Sequence, residues 1–277
     1  MKTVLLPCGE TVPALGQGTW NIGDAPAQRR SEIAALQRGI DLGLTLIDTA
    51  EMYGDGRSES LVAEAIAGRR DQVFLVSKVY PHNASRTAMR RACEASLRRL
   101  HTDRIDLYLL HWAGGTPIAE TLAAFAALQR DGLIRHWGVS NLDLDAMQEL
   151  WEQPGGTQVQ TDQVLYNLTR RGIEHDLQPW LRQRRVPVMA YSPVEQGRLL
   201  ADRRLLDFAA RHGVTAAQAA LGWLLAQDDV IVIPKTASVS RVQENCEALA
   251  HPLDPAAMAE LDRLFPRPRE PVPLEML

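Results

Sequence analysis

Eight times along the chain a short apolar run of β-branched residues or leucine gives way to a longer segment of helical period. Alternation of this kind implies a parallel sheet with helices packed on its outside. After a hairpin expected over 3–13 and turned at Cys8-Gly9-Glu10, the strands read as 14–18, 45–48, 73–78, 105–111, 134–139, 159–165, 186–192 and 230–234. The helices between and after them read as 27–43, closed by Gly43, then 57–67, 85–100, 118–131, 143–152, 174–185, 201–211, 215–227 and 239–249. That makes eight strand and helix pairs with one helix inserted before the last strand, and eight pairs suggest a closed (β/α)8 TIM barrel rather than an open sheet. At 277 residues the length suits one barrel, whose usual size is about 250 residues. No linker, low-complexity tract or internal repeat interrupts residues 1–277, so a single domain is expected. The tail PRPREPVPLEML (266–277) carries four prolines and is expected to run over the surface.

The C-terminal ends of barrel strands form one face, where residues distant in sequence converge. Asp48, Tyr53, Lys78 and His111 each sit at or just past the end of an apolar run, in TLIDTAEMY (45–53), VFLVSK (73–78) and IDLYLLH (105–111). A carboxylate, a phenol, an ammonium and an imidazole so placed can deliver a proton. Taken singly, each has a commoner role: Asp48 a helix cap, Tyr53 a half-buried aromatic, Lys78 a solvated strand end, His111 a bonded core histidine. Their occurrence together at successive strand ends favours the chemical reading.

Other chemistries find less support. A net charge of −4 gives no basic footprint for nucleic acid, and no apolar stretch approaches the roughly 20 residues of a membrane span. The opening MKTVLLPCGE lacks the apolar region of a signal peptide, which leaves the cytoplasm as the expected location. Cys8, Cys93 and Cys246 are scattered and odd in number, against a disulfide framework. Gly16-Gln17-Gly18 and Gly54-Asp55-Gly56 both fail the dinucleotide fingerprint G-x-G-x-x-G, and no G-x-S-x-G elbow is present. No histidine pair has metal-ligand spacing, so no metal site is expected from sequence, although a cluster assembled in space would escape such a reading.

The residues also carry a resemblance. GQGTW (16–20), LIDTAEMYG (46–54), LVSK (75–78), DLYLLHW (106–112), WGVSN (137–141), QVLYN (163–167), AYSP (190–193), IPK (233–235) and RVQEN (241–245) stand in the order found in aldo-keto reductases, NADPH-dependent (β/α)8 barrels. Within that family the chain is most similar to short bacterial members that include methylglyoxal reductases. The resemblance implies that Asp48, Tyr53, Lys78 and His111 are the catalytic tetrad and that Tyr53 is the general acid. A nearby cation lowers a phenol's pKa, so Lys78 is expected to acidify Tyr53, Asp48 to keep Lys78 charged, and His111 to orient the carbonyl.

The same resemblance implies the cofactor site. Ser140, Asn141 and Gln163 match positions that hold the nicotinamide carboxamide, alongside Asp48, and Tyr191 matches the aromatic that stacks on the ring. Ser192, Pro193, Val194 and Gly197 match the loop crossing the pyrophosphate, while Gly18, Thr19 and Trp20 line the cofactor and the pocket edge. Lys235, Thr236 and Arg241 suit the 2′-phosphate of NADPH, and Glu244 and Asn245 the adenine.

Trp20, Tyr53, Tyr80, His111 and Trp112 are expected to wall the substrate pocket. HWAGG (111–115) stands where the family often has HWP, and with the short tail it implies an open pocket for small aldehydes or 2-oxoaldehydes. The family norm implies a monomer. Two other classes were weighed: an NADPH-binding auxiliary subunit with slow turnover, for which the chain has no docking extension, and a metal-dependent barrel hydrolase, which needs more strand-end histidines than His111 alone.

Overall fold

Why the sheet closes is visible in its hydrogen bonds. The computed structural model, which describes all 277 residues, places eight parallel strands in the order of the sequence. They are β3 (Gln17–Gly18), β4 (Leu46–Asp48), β5 (Phe74–Val79), β6 (Ile105–Leu110), β7 (Ile134–Ser140), β8 (Asp162–Leu165), β9 (Val188–Tyr191) and β10 (Val230–Val232). First and last strands then meet: Leu15 bridges Val232, Gly18 bridges Lys235, and Gly16 N–H donates to Val232 O at 2.8 Å. Gly18 allows this contact, because a Cβ there would sit 2.9 Å from Ile233 O. Every residue of β5 and β6 is buried, as expected for strands covered on both faces.

A hairpin of β1 (Thr3–Leu5) and β2 (Thr11–Pro13) precedes the barrel, in the register Val4 opposite Val12. The outer layer is α1 (Arg29–Asp41), α2 (Arg57–Ala65), α3 (Arg86–Leu100), α4 (Ile118–Arg130), α5 (Leu144–Glu152), α6 (Leu177–Gln183), α7 (Arg203–His212), α8 (Ala216–Leu225), α9 (Val239–Glu247) and α10 (Pro255–Leu264). Helix α1 shows the logic: Glu32, Ala35, Leu36, Gly39 and Ile40 form its buried face at spacings of three and four. Helix α7 or α8 is the insertion before β10, and α8 begins in a reciprocal cap between Thr215 and Gln218.

The structure departs from the sequence reading in two places. Strand 14–18 contributes only Gln17–Gly18 as a ladder, since Leu15 makes an isolated bridge. Helix α10 was not anticipated, although Asp254 caps the Ala257 N–H at 2.8 Å and Pro255 occupies its first turn. The tail runs over the surface, as expected, and is pinned there across the C-terminal face of the barrel. His175 Nε2 meets Pro268 O at 2.7 Å, Val272 covers Gly172, and Arg170 pairs with Glu275.

Candidate active site

Strand β4 delivers Asp48, and five residues later a 3-10 turn, Tyr53–Gly56, carries the phenol. That turn is fastened from outside. Gly56, at φ +83, leaves room for Arg99, whose Nε donates to the buried Glu59 at 2.6 Å, and Glu59 accepts in turn from Ser77 of β5 at 2.7 Å. The phenol is thereby fixed relative to the strand that presents Lys78.

Lys78 Nζ is fully buried and spends its three donors on Asp48 Oδ2 at 2.8 Å, Thr49 O at 2.9 Å and Tyr53 OH at 3.1 Å. The other Asp48 oxygen accepts from Gln163 Nε2 at 2.7 Å, so β4, β5 and β8 meet in one network. Burial works against the Lys78 charge, but Asp48 and Tyr53 together outweigh it and hold the ammonium above its ordinary pKa. For Tyr53 burial is the larger effect and raises the pKa, while Lys78 acts the other way and lowers it, as the sequence reading expects. Burial pushes the phenol above its ordinary value; Lys78 pulls it down and Asp48 pushes it up again, without reversing the result.

His111, just past β6, stands edge-on to Tyr53 with ring centroids 5.9 Å apart. Burial first, then the Lys78 charge, drive its pKa down to about 2, so the imidazole is neutral at working pH. Its Nδ1 is buried without a partner. Trp112 leans on it at 4.8 Å between centroids.

From the tetrad a cleft of about 1280 Å³ runs along the C-terminal face. Gly18, Thr19, Trp20, Asp48, Ser140, Asn141, Gln163, Tyr191, Ser192, Pro193, Val194, Gly197, Lys235, Thr236, Arg241, Glu244 and Asn245 all line it, as do Tyr53, His111 and Trp112. The polar floor is prearranged. Ser140 Oγ donates to Gln163 O at 2.7 Å, Asn141 Nδ2 donates to His111 O at 3.2 Å, and Tyr191 OH donates to Asn141 Oδ1 at 3.0 Å. Left-handed backbone at Asn141 (φ +56) and Ser192 (φ +47) turns these residues toward the opening. Arg241 lies in the first turn of α9, whose N-cap is Ser238.

Tyr80 is the exception among the expected residues and is corrected here. Its backbone N–H is held by Glu51 at 2.8 Å, and its ring stacks on His82 at 4.8 Å and meets Trp112 edge-on at 5.9 Å. It therefore backs Trp112 and does not line the cleft. The sequence reading missed Met52, Met276 and Leu277, which do line it. Leu277 N–H reaches Tyr191 OH at 3.4 Å, so the tail narrows the mouth that was expected to stand open.

A braced phenol beside an elongated cleft, at the C-terminal face of a (β/α)8 barrel, is placed as an enzyme places a proton donor. Residues 14–265 match the Aldo/keto reductase family, and the chain belongs to it. It is 52% identical over 272 residues to the methylglyoxal reductase YeaE of Escherichia coli (strain K12), covering 96% of each chain. A glyoxal reductase of Bacillus subtilis (strain 168) is 30% identical over 262 residues, covering 95% of this chain and 92% of that protein. Among solved structures, an aldo/keto reductase from Klebsiella pneumoniae in complex with NADP and acetate superposes with a TM-score of 0.97 at 50% identity, covering 100% of this chain and 99% of that one. An aldo-keto reductase from the same organism in complex with NADPH gives the same figures.

Proposed function

We propose that the protein is an NADPH-dependent aldo-keto reductase that converts small aldehydes, above all 2-oxoaldehydes of the methylglyoxal kind, to alcohols. The observation that carries this reading is the Lys78 ammonium, 2.8 Å from Asp48 and 3.1 Å from the Tyr53 phenol, at the foot of the cleft. The relatives named as methylglyoxal and glyoxal reductases support the substrate class.

When bound, NADPH supplies the hydride. The residues fit it: Ser140, Asn141 and Gln163 offer fixed amide and hydroxyl partners for a carboxamide, with the Tyr191 ring beside them. Ser192, Pro193, Val194 and Gly197 bound the middle of the cleft, where the pyrophosphate would cross. At the far end Lys235, Thr236 and Arg241 would hold the 2′-phosphate, and Glu244 and Asn245 the adenine. The substrate sits between Trp20 and Trp112 with its oxygen toward Tyr53 and His111. As negative charge builds on that oxygen, the Tyr53 O–H bond breaks and its proton moves across. Lys78 stabilises the phenolate left behind. With Nδ1 of the neutral His111 ring buried and unpartnered, Nε2 is the nitrogen left to meet the substrate, and carrying the hydrogen it would donate to the same oxygen. Solvent returns a proton to Tyr53 after the alcohol leaves.

Tyr53→Phe tests the assignment. A positioned acid contributes about 10² to 10⁴ in rate, so kcat should fall by that range while NADPH affinity, read by tryptophan fluorescence, is retained. A variant keeping a tenth of the wild-type kcat with methylglyoxal would remove Tyr53 from the role.

The same reading extends to one domain over residues 1–277, supported by a single core cluster of 71 buried residues. It also holds the protein to be a cytoplasmic monomer. Three free cysteines suit a reducing compartment. Of the large exposed apolar residues, Trp20, Met52, Met276 and Leu277 line the cleft itself, while Leu5, Leu206 and Val239 lie on β1, α7 and α9.

A further inference from the structure

Opposite the cleft, at the N-terminal end of the barrel, three side chains of different chemistry converge. The turn between β1 and β2 is tight: Leu6 N–H donates to Glu10 O at 2.8 Å, Gly9 N–H donates to Leu6 O at 2.9 Å, and Gly9 reverses the chain at φ +89. Cys8 and Glu10 are brought side by side, and Cys8 N–H docks the tip on Gln160 Oε1 at 2.9 Å. His136 reaches them from β7, its Nε2 lying 3.7 Å from Cys8 Sγ and 3.0 Å from Glu10 Oε2. One ligand atom from each residue falls within 4.8 Å of the others.

We propose that Cys8, Glu10 and His136 form a binding site for a borderline-soft divalent cation, with zinc as its best-matched ion and a water completing the coordination. Zinc bonds of about 2.3 Å to sulfur and about 2.0–2.2 Å to nitrogen and oxygen, set at tetrahedral angles, place ligand atoms about 3.3–3.6 Å apart. His136 Nε2 stands 3.7 Å from Cys8 Sγ and 3.0 Å from Glu10 Oε2, on either side of that range, and all three ligand atoms lie within 4.8 Å of one another, so side-chain rotations would bring them onto one ion. A thiolate, an imidazole and one carboxylate select zinc over magnesium or calcium, which want oxygen alone.

The geometry disfavours one other use of such a trio. A nucleophilic thiol relay would need the carboxylate on Nδ1 and the thiol on Nε2, whereas here both approach Nε2. Glu10, His136 and Arg135 form an ion-paired clip without the metal, and Cys8 Sγ beside His136 adds a soft ligand that the clip does not need.

One cation borders the site and is partly offset by a carboxylate: Arg135 holds Glu10 by Oε2 at 2.8 Å and Asp106 at 3.0 Å, and Asp106 is itself paired with Arg70 at 2.7 Å. Arg135 thereby fixes the Glu10 carboxylate plane, as outer hydrogen bonds do in metal sites, and Oε2, 3.0 Å from His136 Nε2, is the oxygen placed to ligate. On binding, the Cys8 thiol loses its proton to solvent and the thiolate and carboxylate together balance the ion's charge. The ion would tie the hairpin tip to β7, far from the tetrad.

Titration of the full-length protein with zinc against a chromophoric chelator tests this, with cobalt(II) as the spectroscopic probe. The wild type should take up one equivalent, show a thiolate-to-cobalt charge-transfer band and melt at a higher temperature with zinc. Cys8→Ser should lose the band. Both Cys8→Ser and His136→Gln should bind zinc at least about tenfold more weakly, with methylglyoxal turnover unchanged. Cys246→Ser, at a thiol on α9, should behave as wild type. Absence of the cobalt band in the wild type, or equal zinc affinity in wild type, Cys8→Ser and His136→Gln, would overturn the proposal.

Discussion

Replacing Asp48 by Asn keeps the size of the side chain and removes the charge that balances Lys78. In the native protein Lys78 and Asp48 are 0% and 2% exposed and 2.8 Å apart. Removing one member of a buried pair costs about 3–5 kcal/mol, because the other charge is left uncompensated in a medium that solvates it poorly. At 1.4 kcal/mol per tenfold, the folding equilibrium should shift by about two to four decades. The pH dependence distinguishes this cause from a packing defect. In the wild type the folded Lys78 pKa lies above its unfolded value, so its stabilisation is intact below about pH 10.4 and is lost only as pH rises through the folded pKa. Without Asp48, burial dominates and the folded pKa drops below the unfolded one. The variant then gains stability with rising pH across that window, by up to about 1.4 kcal/mol per unit. Urea unfolding of both proteins at about pH 7 and about pH 9.5 should therefore show a gap that narrows on the alkaline side. The double variant D48N/K78M, which carries neither charge, should recover much of the loss. A gap below about 1 kcal/mol that is the same at both pH values would refute the argument.

Three further outcomes follow from the same geometry. With the His111 pKa driven down to about 2 by burial and by Lys78, kcat/KM for reduction should show no inflection near the ordinary histidine value of about 6.5, and a clear step there would mean that His111 titrates in catalysis. Charge-assisted hydrogen bonds are worth about 1.5–3 kcal/mol, so Lys235→Ala or Arg241→Ala should weaken NADPH by about ten- to a hundredfold and leave NADH nearly unchanged in fluorescence titrations; equal losses for both cofactors would place the two cations elsewhere. Asp162 is fully buried in β8, the nearby Leu142 amide makes no well-formed hydrogen bond to either carboxyl oxygen, and burial raises its pKa well above the carboxylate range. A raised folded pKa means stability that is full below about pH 3.9 and drains away as pH rises, so Asp162→Asn should raise Tm more at about pH 8 than at about pH 5.5, and an equal or reversed change would refute the reading.

What the sequence disclosed was whatever depended on local pattern. Runs such as Val73–Lys78 and Ile105–His111 announce buried strands by composition alone, and their polar last residues, Lys78 and His111, fall on the one face that a barrel makes common. The missed helix α10 was legible too, since Asp254-Pro255 is a start signal and Ala257 and Leu261 repeat at a helical interval. Other features were not written locally. The path of the tail depends on Arg170, Gly172 and His175, each about a hundred residues away, which no periodicity couples to Glu275, Val272 or Pro268. Tyr80 resembles a pocket aromatic because it follows a strand end, but the hold of Glu51 on its backbone turns it behind Trp112. Cys8 and Glu10 lie more than 120 residues from His136, and only the hairpin's seat on the barrel joins them.

The sign of the Tyr53 shift shows what burial adds to a motif. From residue types alone a lysine beside a phenol should acidify it, which makes the donor strong but also leaves part of it without its proton near neutral pH. The fold sets the half-buried phenol at the cleft beside the fully buried ammonium, and burial raises its pKa while Asp48 keeps Lys78 charged. The resting site thus holds one state: phenol protonated, lysine charged, imidazole neutral. In that state His111 can donate a hydrogen bond without competing as the acid, and the one transferable proton faces the cleft on Tyr53. The lysine's acidifying effect is then realised mainly when charge develops on the substrate oxygen, because only a nascent phenolate feels the full attraction of Nζ at 3.1 Å. Reduction draws on that stored proton directly. Under the proposed function, alcohol oxidation would first have to remove that proton, which the raised pKa of Tyr53 opposes.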